Sequence, residues 1–62
     1  MTQPINYARM AACAKRELRH RKRVYWHLVG EQRMTADQAD EEIAVMEAIY
    51  KHFDELANPK LL

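Results

Sequence analysis

Val29-Gly30-Glu31-Gln32-Arg33-Met34-Thr35 decides how this chain folds. The stretch contains the one glycine of the protein and ends on Thr35, with Gln38 three residues further on. That is the spacing of a capping box. The threonine hydroxyl accepts from a free backbone N–H of a new helix, and the glutamine side chain reaches back to the threonine's own N–H. A helix therefore begins just after Thr35, and the residues from Gly30 to Thr35 form a bend.

Charge divides at the same place. Residues 1–33 carry eight basic side chains (Arg9, Lys15, Arg16, Arg19, Arg21, Lys22, Arg23, Arg33) against Glu17 and Glu31, a net +6. Residues 34–62 carry Lys51 and Lys60 against seven acids (Asp37, Asp40, Glu41, Glu42, Glu47, Asp54, Glu55), a net −5. Arms of opposite sign attract, as the two limbs of a fold-back would. One glycine and two prolines in 62 residues, with abundant Ala, Glu, Arg and Leu, point to helix and away from sheet.

The first helix is expected from about Ile5 to Val29, with Pro4 tolerated in its opening turn. Its apolar stripe is Tyr7, Ala11, Ala14, Leu18, Arg21, Tyr25, Leu28, in steps of four and three. Arg21 interrupts it and is expected to bury its methylenes and carry its charge outward. The second helix, 36–57, has the cleaner coiled-coil-like stripe: Ala36, Ala39, Ile43, Met46, Tyr50, Phe53, Ala57. Asp37, Asp40, Glu41 and Glu42 crowd its start, where the helix dipole favours negative charge. Asn58-Pro59 ends it, leaving Lys60-Leu61-Leu62 as a tail that frays or docks.

Folded back at the bend, the stripes stay in phase. Leu28 meets Ala39, Tyr25 meets Ile43, Arg21 meets Met46, Leu18 meets Tyr50, Ala14 meets Phe53 and Ala11 meets Ala57. The expected fold is all-α, an antiparallel two-helix hairpin in one domain. At 62 residues a lone core is marginal, and Cys13 is the single cysteine, so no internal disulfide or thiolate zinc cluster can reinforce it. Trp26 and Val29 on the first helix, and Val45, Ile49 and Leu56 on the second, fall outside the seam. They mark a surface for a second copy, making a four-helix bundle, or for another protein.

The run Arg19-His20-Arg21-Lys22-Arg23 allows another reading, a small nucleic-acid-binding protein gripping phosphates, or a contact with an acidic partner, through Arg16, Arg19, Lys22 and Arg23, beside the plainer one of a solvated face that pairs with the acids of the second helix. Five consecutive helical residues point all round the axis, however, so the run alone gives no focused stripe. His20 and His27 are seven residues apart, and no His-x-x-x-His pair occurs, so neither metal nor cofactor is expected. Cys13 sits among alanines as a small core residue would, without an orienting histidine. No phosphate loop or nucleophile turn is present, and two helices rarely enclose a pocket, so no enzymatic activity and no small-molecule substrate are expected. No run is long enough to span a bilayer and no secretory signal is visible, so the expected place is the cytoplasm.

Arg16-Glu17-Leu18, Arg21-Lys22-Arg23-Val24-Tyr25, Gly30, Arg33-Met34-Thr35, Ala39-Asp40-Glu41-Glu42-Ile43 and Met46-Glu47-Ala48-Ile49 together resemble small uncharacterised proteins of phages and prophages over about residues 16–49. Those proteins generally have a proline after the tyrosine. Here Trp26 stands in its place, keeping the helix continuous and adding a bulky ring. The resemblance implies a phage accessory protein in a bacterial host, one that binds and blocks or adapts host machinery. It carries over no catalytic residue.

Overall fold

The computed structural model describes residues 4–59. It is an all-α antiparallel hairpin of two helices, α1 (Tyr7–Gly30) and α2 (Ala36–Ala57), packed along their lengths. No strand occurs among the described residues. The expected tail, Lys60-Leu61-Leu62, lies outside them.

Helix α1 begins two residues later than expected, and Pro4 lies before it. The reason is Asn6, whose extended backbone (φ −140°, ψ 178°) stops the helix there. Its side-chain oxygen accepts from the Arg9 backbone N–H at 2.8 Å, taking one of the donors that a helix start leaves unsatisfied. Neither Pro4 nor Ile5 offers such an acceptor.

At the far end, the bend is not made by the glycine. Gly30 is the last helical residue, and a Cβ added there would meet nothing within 4 Å. The left-handed residue is Gln32, at φ 61°. Its N–H donates to the Val29 carbonyl at 3.0 Å, and the Arg33 N–H to the Leu28 carbonyl at 2.9 Å. These are the paired bonds of a Schellman motif, with Gln32 at the position that glycine usually takes.

Helix α2 opens as the sequence requires. The Gln38 N–H donates to Thr35 Oγ1 at 3.1 Å, and the Thr35 N–H donates to Gln38 Oε1 at 3.0 Å. It closes at Asn58, whose N–H bonds back to the Asp54 carbonyl at 2.9 Å before Pro59 forbids another turn.

Between the helices lies a thin core. Ala14 and Leu18 of α1 pack with Ile43 and Met46 of α2, Tyr25 and Tyr50 lie against them, and Ala11 and Ala39 are buried further along the seam. Half of these six buried residues are alanines, and no large side chain among the described residues is fully withdrawn from water. The register is tighter than expected. Arg21 reaches Glu42, one turn before its anticipated partner Met46, and Phe53 stacks on Tyr7 at 6.3 Å, two turns from Ala14 along α1. Side chains at 3.6-residue spacing slide by whole turns without leaving the seam. The periodicity therefore fixes which faces meet but not which rung meets which.

Candidate functional site

A single layer of two helices has two broad faces, and α-helical phase assigns each exposed residue to one of them. The chain is only 11 Å deep in its thinnest Cα dimension, about one helix.

The first face carries an open apolar groove of about 320 Å³, lined by Met10, Cys13, Ala14 and Glu17 from α1 and Met46, Ile49 and Phe53 from α2. Val45 and Leu56 flank Ile49 on the same side of α2, four residues before it and seven after. Val45 is 48%, Ile49 39% and Leu56 43% exposed, high values for aliphatic side chains. Cys13 is exposed here and does not fill the core as its alanine neighbours implied. Ala11 and Ala14 take the seam positions, and Cys13 falls to the flank.

Across the middle of this face runs a charged bar. Arg21 Nε bonds Glu17 Oε1 at 3.2 Å within α1. Its Nη1 crosses to α2, donating to the Glu42 carbonyl oxygen at 3.1 Å and lying 3.5 Å from Glu42 Oε2. The guanidinium also sits 5.8 Å from the centre of the Tyr25 ring. Arg21 thus does what its place in the stripe required, with its head turned to the groove side.

The opposite face is different in kind. Trp26, grouped with Val29 and the aliphatic residues of α2 when only the sequence is read, points away from the groove. Trp26 lies five whole turns from Ala8, which faces Tyr50 and Asp54 on the back of the hairpin. Trp26 is 42% exposed and Val29 is half-buried. The five candidate interface residues are therefore not one surface. Val45, Ile49 and Leu56 belong to the groove face and Trp26 to the other, while Val29, in phase with Ala11 near the seam, lines a hollow at the bend with Met34, Thr35 and Gln38.

The basic segment sorts in the same way. With Arg21 drawn to the groove side, Arg16, Arg19, Lys22 and Arg23, together with Lys15, occupy roughly one third of the helical circumference, at about 100° per residue. All five are exposed, and none takes part in an ion pair among the described residues. Trp26 sits within this arc. Glu17, paired to Arg21, and Glu31, bonded to His27 Nε2 at 2.8 Å, lie outside it.

Helix α2 contributes acids to the same face. Glu47 accepts from Lys51 Nζ at 2.9 Å. That bond and the attraction of the lysine charge hold the Glu47 carboxyl below the usual carboxylate range; slight desolvation opposes them, and Lys22 adds a smaller pull across the hairpin. Lys51 is raised by the same bond and charge, with desolvation opposing and Glu55 adding a little. No group of three His, Cys, Asp or Glu converges among the described residues. Nor is any helix among them long and apolar enough to cross a membrane. Comparison with family models, curated proteins and solved structures gives no match to this chain.

Proposed function

We propose that this chain is a non-enzymatic protein–protein interaction module that pairs with a second copy of itself through the groove face. Two hairpins stacked on that face form a four-helix bundle. In keeping with the phage resemblance, the dimer acts in the bacterial cytoplasm as an accessory protein that binds and blocks or adapts a host protein.

One observation carries the self-association: Val45, Ile49 and Leu56 stand in water beside a core of three alanines, one leucine, one isoleucine and one methionine. Each aliphatic side chain, once covered, contributes about 1.5–3 kcal/mol. The Glu17–Arg21–Glu42 bar crosses the apolar strip and supplies polar groups that fix how two copies register.

Sedimentation equilibrium tests the pairing. The wild-type protein is expected to be dimeric at micromolar concentration, and Ile49→Asp to be monomeric. A wild-type chain that is fully helical and monomeric at tens of micromolar overturns it.

A further inference from the structure

The face opposite the groove carries a second site. Lys15, Arg19, Lys22 and Trp26 follow one another at intervals of four, three and four residues, so they form one row along the exposed side of α1. At 1.5 Å per residue the row is about 16 Å long. Arg16 and Arg23 form a second, parallel row beside it. No acidic side chain of α1 enters this arc, because Glu17 is tied to Arg21 on the groove side and Glu31 to His27 at the helix end. Among the described residues the five cations have no bonded partner, and a flat ring with two-fifths of its surface in water lies at the end of their row.

We propose that this row binds a single strand of nucleic acid. Its phosphates lie along Lys15, Arg19 and Lys22, with Arg16 and Arg23 as flanking contacts, and a base stacks on Trp26. Cations that track a backbone, with an aromatic ring for a base, are the two parts that strand binding without sequence preference requires. The acids of α2 decide between one strand and two. Asp40, Glu47 and Asp54 recur every seven residues along the same broad face, and Glu47 lies close enough to Lys22 to feel its charge. A duplex laid on the basic rows would press its second strand against these carboxylates. A single strand fits on α1 alone. An acidic protein would satisfy the cations but leave the exposed ring unused.

Trp26 is the one tryptophan of the chain, so its fluorescence reports the contact directly. Titration with a short oligothymidylate in low salt is expected to quench the Trp26 emission. For five neutralised phosphates the affinity falls with a log–log salt slope near −3.5, about 130-fold between 50 and 200 mM salt. Arg19→Gln with Lys22→Gln lowers that slope by about 1.4. Labelled-oligonucleotide anisotropy with Trp26→Leu separates stacking from charge: affinity drops roughly tenfold or more, while the salt slope stays. The monomeric Ile49→Asp variant keeps its strand binding, so the two faces fail independently. No binding at low salt overturns the proposal. So does equal quenching by heparin or polyglutamate, which have no bases, and so does tighter binding of duplex than of single strand.

Discussion

Arg21 Nη1 donates to the backbone carbonyl oxygen of Glu42 at 3.1 Å, a hydrogen bond by which a side chain of one helix grips the main chain of the other. The same guanidinium holds Glu17 at 3.2 Å and lies over the edge of the seam against Tyr25. A single cation therefore ties α1 to α2 and is removed from the basic arc behind it. Exposed ion pairs contribute little, and the partners here are about half exposed. The packed methylenes and the ring contact add to that. Arg21→Ala is expected to cost about 1–2 kcal/mol in urea unfolding. Arg21→Lys should recover less than half of the loss, because an ammonium cannot present the fork that reaches Glu17 and Glu42 together.

The turn has its glycine in the wrong place. Gly30 occupies a helical position with open space around it, whereas Gln32 holds the left-handed conformation. Gly30→Ala should stabilise the hairpin by about 0.5–1 kcal/mol, through helix propensity and a stiffer unfolded chain. Gln32→Gly should add about 0.5 kcal/mol, relief of the left-handed strain outweighing glycine's extra unfolded entropy. Thermal melts followed by circular dichroism check both. A domain of this size gains roughly 4–8 °C per kcal/mol.

A third expectation concerns pH. Because the Glu47 carboxyl is held low by Lys51, its contribution is present above the ordinary carboxylate value and is lost as pH falls through the lowered one. Lys51, held high, contributes below the ordinary lysine value and loses its share as pH rises through the raised one. Helix α2 should thus be firmest between these limits. Carbon-13 titration should find Glu47 ionising below the normal glutamate range, and Lys51→Met should return it there. High salt should shrink the shift, since the pair is exposed.

Cys13 offers a test of the groove face from its own chemistry. It is exposed beside Met10, Ile49 and Phe53, so a thiol reagent reaches it in the single chain. Pairing through that face covers it. Alkylation should slow at least several-fold as the protein is concentrated through its dimerisation range, and the Ile49→Asp variant should show no such slowing. A rate indifferent to concentration in the wild type would place the interface elsewhere.

Much of the fold was legible from two local signals. Thr35 with Gln38 announced the start of α2, and the three–four stepping of Ala39, Ile43, Met46 and Tyr50 named its buried side. The start of α1 was also written, in Asn6, but Pro4 offered a competing reason to begin earlier. What periodicity could not give was the rung, because a slide of one turn keeps every stripe intact. The site was harder still. Arg19 to Arg23 looks unfocused as a string, and becomes a focused arc only once Arg21 is known to cross to Glu42. Likewise Trp26 and Ile49 are both merely off the seam until the hairpin gives each a side.

A sheet of matter one helix deep joins its two surfaces through the same few alanines and aliphatics. A change that unzips this seam therefore removes front and back together, whereas a change confined to one side leaves the other in place.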